Sequence, residues 1–98
     1  MATYIMLGNY TEKGIGAIKD SPKRADAARE LGKKFGVEMK TLYLCMGAYD
    51  LIAILEAPNT ESVAKFILTL GAKGNVRTTT LEAFPEAQYR SIIGGLPA

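Results

Sequence analysis

Tyr49 and Asp50 are neighbours in the chain, and with Gly47 and Ala48 they stand between two apolar runs, residues 41–46 and 51–55. A phenol donates a hydrogen bond and a carboxylate takes up a proton, so this pair has the groups for acid–base chemistry on a small organic substrate. Asn9, Tyr10 and Tyr43 supply further polar and aromatic groups for holding a ligand. Ile15 and Ile18 lie in a glycine-flanked stretch able to close over one as a lid. The competing reading of the same residues is structural: an aspartate at a corner bonds backbone amides, and a tyrosine packs on the core with its hydroxyl satisfied.

Composition removes several kinds of chemistry. Histidine is absent, so there is no imidazole to serve as base, to hold haem iron or to help build a typical zinc site. Serine–histidine and cysteine–histidine hydrolysis go with it. Cys45 is the single cysteine, which excludes a disulfide within the chain and places a small buried hydrophobe in an apolar run. No metal and no cofactor are expected on these grounds. Gly14-Ile15-Gly16-Ala17-Ile18-Lys19 opens like a dinucleotide fingerprint but carries lysine where the third glycine belongs, so a flexible loop over the end of a sheet is expected instead.

The net charge is +2, and the densest basic cluster (Lys19, Lys23, Arg24, Arg29, Lys33, Lys34) is interrupted by Asp20, Asp26 and Glu30. That pattern reads as a solvated helix face and not as a nucleic-acid footprint. No run approaches the ~20 apolar residues that span a bilayer, and the apolar start at residues 4–7 has no basic residue before it. A cytoplasmic protein without membrane contact is the expectation.

The elements that must position these groups follow from periodicity. Residues 3–10 read as a strand that is apolar on both parities in its first half, as a strand covered on both faces should be. Residues 11–20 form a turn or irregular helical stretch. Ser21-Pro22 then reads as a serine cap followed by proline at the first helical position, with Ala25, Ala28, Leu31 and Phe35 on the inner face and Gly36 as the stop. Residues 37–46 make a second strand whose first half places Val37, Met39 and Thr41 on one side, the mark of an edge. Residues 50–57 make a third, apolar on both parities. Pro58-Asn59-Thr60 caps a second helix with Val63, Phe66, Ile67 and Leu70 inward, and residues 75–84 make the last strand, rich in threonine.

The order βαββαβ is that of an α+β, ferredoxin-like fold: a four-stranded antiparallel sheet with two helices on one face. Strands one and three are then the central pair. Their second apolar face has no third layer within a chain of 98 residues, one domain spanning 1–98. Two sheets packed face to face in a homodimer would cover it. The tail, residues 85–98, holds Tyr89, Ile92 and Ile93 and is expected to dock on its own or a partner subunit. Base stacking on the sheet, as in RNA-binding modules of this order, is not expected, because Leu51-Ile52-Ala53-Ile54-Leu55 has neither an aromatic nor a basic residue.

The corner Gly47-Ala48-Tyr49-Asp50 leading into Leu51-Ile52-Ala53-Ile54 resembles the Gly-Tyr-Asp signature of the GYD family. The opening Tyr4-Ile5-Met6-Leu7-Gly8-Asn9-Tyr10-Thr11 and the chain length are similar too. The resemblance implies a dimeric α/β-barrel of the ferredoxin-like type and leaves the activity open. Two readings stand at this point. One is a homodimer or higher oligomer that binds a small apolar organic ligand, with acid–base chemistry at Tyr49 and Asp50. The other is a non-catalytic module for ligand sensing, or for structural or stress-related assembly.

Overall fold

The computed structural model describes residues 1–98. Strand β1 (Ala2–Tyr10) leads into a one-turn helix α1 (Glu12–Gly16), a 3-10 turn (Ile18–Asp20) and the long helix α2 (Ser21–Lys34). Strands β2 (Glu38–Leu44) and β3 (Leu51–Ala57), helix α3 (Thr60–Ala72), strand β4 (Val76–Ala83) and helix α4 (Glu86–Gly94) follow. The strands join one antiparallel sheet in the order β2-β3-β1-β4, the ferredoxin-like arrangement. The two strands that are apolar on both parities, β1 and β3, lie at its centre, buried on the parity that faces the helices and half-buried on the other.

The core lies between the sheet and helices α2 and α3. Tyr4 and Met6 of β1 and Ala53, Leu55 and Ala57 of β3 turn to the helices and are buried with Ala28, Val37, Val63 and Phe66. Phe66 and Leu55 are wholly inaccessible, and burying a side chain of that size contributes about 1.5–3 kcal/mol. Helix α3 starts at Asn59, whose Oδ1 accepts from the Ser62 N–H at 2.9 Å. The Tyr4 hydroxyl reaches Thr60 Oγ1 at 2.9 Å, tying the central strand to the first turn of that helix. Helix α2 ends where Gly36 was expected to stop it, with Gly36 N–H donating to Lys33 and Val37 N–H to Gly32.

Three expectations are corrected in detail. Ser21 does not cap α2 with its side chain: the 3-10 turn runs straight into the helix, so Ser21 is already helical and its hydroxyl is free to bond elsewhere. The alternation through Val37, Met39 and Thr41 breaks at a register shift between Met39 and Thr41. Lys40 is the extra residue there, and Thr41 consequently faces away from the helices.

Residues 11–20 are the irregular helical stretch expected, a one-turn helix and a 3-10 turn, but the flexible loop expected at residues 14–19 is strapped down. Thr11 Oγ1 accepts from Gly14 N–H at 3.1 Å and donates to the Gly74 carbonyl at 2.6 Å, and Thr11 N–H donates to the Asn75 carbonyl. Lys13 Nζ reaches the Lys73 carbonyl at 2.8 Å. A Cβ at Gly14 would stand 2.0 Å from the Asn75 carbonyl oxygen, so this contact exists only because the residue is glycine. The strap is built of backbone groups, which hydropathy does not register.

The face of the sheet turned away from the helices carries two rows read directly across the four strands. One is Tyr43–Ile52–Leu7–Thr79 and the other Thr41–Ile54–Ile5–Leu81. Nothing in the chain covers them. Beyond the sheet, every residue from Pro85 to Ala98 is exposed, α4 included. The arm explains a radius of gyration of 14.9 Å where a compact chain of this length has about 13 Å.

Candidate functional site

The corner between β2 and β3 turns on Gly47, whose φ of +145° suits a residue without a Cβ. Cys45 N–H donates to the Asp50 carbonyl at 2.7 Å and closes the corner. Asp50 N–H donates to the Gly8 carbonyl at 2.9 Å, and its Oδ2 accepts from Tyr10 N–H at 2.9 Å. The aspartate thus carries the β3–β1 ladder one step past the last paired residues, its carboxylate taking the place a backbone carbonyl would hold. Tyr49 beside it is half-buried, and Met46 at the tip is almost wholly exposed.

Beneath the same end of the sheet lies a cavity of about 110 Å³ between β1, α2 and the turn from α3 to β4. Its wall is mostly carbon, from Met6, Met39, Leu42, Leu51, Leu70 and Val76. Small residues make the space: Gly8 on the strand and Ala25, Ala27 and Ala28 on the helix. Tyr10 and Ser21 border it with their hydroxyls bonded to each other at 2.8 Å. Arg24 and Lys73 stand among the lining residues, and no aspartate or glutamate does. Arg24, expected on a solvated face, is half-buried: its Nη1 and Nη2 donate to the carbonyls of Ala17 and Gly14 at 2.9 and 3.0 Å.

The sequence-derived site residues therefore divide. Tyr10 lines the cavity. Asp50 meets it only through the backbone of Tyr10, and neither Asp50 nor Tyr49 is in its wall. Asn9 lies opposite Arg77 on the face away from the helices, and Tyr43, 58% exposed, lies opposite Ile52 on that face. Ile15 and Ile18 are exposed on the strapped segment and do not line the cavity. The residues that sequence reasoning passed over are the small ones, Gly8, Ala25 and Ala28, together with Arg24. Their only signal was that glycine and alanine stand at inward positions where larger side chains would be at home.

A family model described as GYD domain matches residues 4–93 of the chain. The chain is 36% identical over 88 residues to the glutamine synthetase and cystathionine beta-lyase binding protein of Thermus thermophilus, across 89% of this chain and 93% of that protein. Among solved structures it is similar to the leucine response regulatory protein of Mycobacterium tuberculosis, with a TM-score of 0.64 and 12% identity over 86% of this chain. It spans about half of that regulator, 51%. A hypothetical protein from Pyrococcus horikoshii is similar with a TM-score of 0.54 and 23% identity, over 87% of this chain and 92% of that one. At these identities the two structures speak for the fold alone.

Proposed function

The chain belongs to the GYD domain family, and from that premise we propose that it is a cytoplasmic, non-catalytic binding module. It pairs with a second copy of itself and docks on an enzyme of amino-acid metabolism, glutamine synthetase or cystathionine beta-lyase. The observation that carries this reading is the uncovered apolar surface. Ile5, Leu7, Ile52 and Ile54, each half-buried, form one patch on the sheet with the exposed Leu81, and Tyr89, Ile92, Ile93 and Leu96 line an arm that stands clear of the body. Contiguous exposed apolar surface of this kind marks contact with other proteins. The relative that matches along almost its whole length is named for binding those two enzymes, which supplies the class of partner. We assign the sheet face to self-association and the arm to the enzyme.

Acid–base chemistry finds less support. Asp50 Oδ2 is engaged with the Tyr10 N–H, and neither Asp50 nor Tyr49 is in the wall of the cavity. The Asp50 carboxylate holds the last amide of β1, a structural task that accounts for an acid at this corner without chemistry.

Biolayer interferometry against immobilised glutamine synthetase and cystathionine beta-lyase tests the proposal. Binding to at least one of them with a Kd of about 10 μM or tighter is expected, about −7 kcal/mol or better. Ile92→Asp, on the exposed arm, should weaken it at least tenfold without changing the melting temperature. Absence of binding to both enzymes, or undiminished binding by Ile92→Asp, overturns the reading or its assignment of the arm.

A further inference from the structure

We propose that the cavity under the Tyr10 end of the sheet is a binding site for a small apolar carboxylate, a short straight or branched chain ending in a –COO⁻ group. The site is independent of the protein-docking reading, since none of its residues lies on the arm or on the open face of the sheet.

Size and chemistry both point to this class. An apolar cavity of about 150 Å³ holds a benzene ring, so the space here, about 110 Å³, accepts about four carbons. The space is not forced by the backbone. A Cβ on Gly14 or Gly32 would meet backbone oxygen at 2.0 or 2.8 Å, whereas one on Gly8 would meet nothing closer than 3.6 Å. An alanine there would fit, and the glycine leaves volume open in a core that close packing would otherwise fill. Carbon walls dispose of the chain; the rim disposes of the charge. Arg24 and Lys73 line the cavity with no acidic residue beside them, and Lys13 Nζ, on the Lys73 carbonyl, adds a third cation at that end. Two carbonyls hold the Arg24 guanidinium in place while other N–H groups stay free. The Tyr10–Ser21 pair has two hydroxyl protons and uses one between them, so the second is available to a carboxylate oxygen. A free α-amino acid would bring an ammonium group with no anion to meet it, and is disfavoured.

The test is a methyl and amide NMR titration of the full chain with isovalerate, isovaleramide and leucine. Isovalerate should shift the methyl signals of Met6, Leu51 and Leu70 and saturate with a Kd of about 1 mM or tighter. Isovaleramide and leucine should bind at least fivefold more weakly. Lys73→Gln, at an exposed position, should weaken isovalerate by about threefold, as loss of one partly solvated charge does. Ala25→Leu should remove binding while the protein still melts cooperatively. If that variant fails to fold, Gly8→Ala shrinks the same space without a clash and should weaken binding instead. No methyl shift at about 10 mM isovalerate, a limit set by millimolar affinity, would sink the site. Equal affinity for isovaleramide would remove the charge recognition, and a folded Ala25→Leu variant that still binds would put the ligand elsewhere.

Discussion

Asp50 is the residue on which readings of this chain turn, and its carboxylate accepts the backbone N–H of Tyr10. The Tyr10 amide sits where β1 runs out of partners on the β3 side, since the last paired residues there are Gly8 and Leu51. Hydrogen bonds to charged groups contribute about 1.5–3 kcal/mol, less where water competes, and this one is half-buried. Asp50→Ala should therefore cost about 1–2 kcal/mol in urea denaturation. Asp50→Asn keeps an acceptor in the same place and should cost less than half of that. Equal losses for the two would mean that the carboxylate serves something other than this amide. Tyr10 is held at both ends, its amide by Asp50 and its hydroxyl by Ser21, which makes it the hinge between corner and cavity.

Among the elements, α1 is the one whose existence depends on contacts with a distant segment. Five residues cannot form a stable helix alone, and this one is held by Thr11, Lys13 and Arg24 to the carbonyls of residues 73–75 and to its own end. Gly14 lies at the centre of those contacts. Gly14→Ala must push α1 off the Asn75 carbonyl and should cost about 2–3 kcal/mol, as overpacking at a rigid wall does. For a domain of this size the melting temperature should fall by about 10 °C or more. Hydrogen exchange at the Thr11 and Ile15 amides, which donate to Asn75 and Thr11, should lose its protection first. A variant that melts like the parent would show that the strap yields without cost.

At the scale of the whole molecule, the sheet's open face should govern assembly. Its two apolar rows are flanked by like-charged Glu38 and Glu56, paired across β2 and β3, and at the other end by Arg77 opposite Asn9. Glu38 is paired with Lys40 at 3.5 Å, and a pairing that reverses the strand direction between copies brings Glu56 of one sheet towards Arg77 of the other. Analytical ultracentrifugation should find a dimer at about 10 μM for the parent chain, the range in which an interface of ordinary quality holds. Ile54→Glu, which places a charge in the middle of the patch, should give a monomer with the same circular dichroism. Arg77→Glu should weaken the dimer, and Glu56→Arg added to it should restore it; failure of the restoration would leave the dimer but discard that orientation.

The order of the four strands and the two long helices and the central place of β1 and β3 were legible in the residues, because runs apolar on both parities belong at the middle of a sheet, whereas helix α4 was not foreseen in the tail. The sequence also marked the corner at Gly47, the cap at Asn59 and the stop at Gly36, all of which rest on local backbone chemistry. It read residues 14–19 as flexible and Arg24 as solvated, because what fixes them are backbone carbonyls, of residues 73–75 for the loop and of Gly14 and Ala17 for Arg24, which no periodicity encodes. The cavity was hidden for the same reason: an absent side chain at Gly8 and a short one at Ala28 become a space only when β1 and α2 are brought together. Only the folded chain brings Asp50 Oδ2 to the Tyr10 N–H, since side-chain direction at a corner depends on which strand end lies within reach.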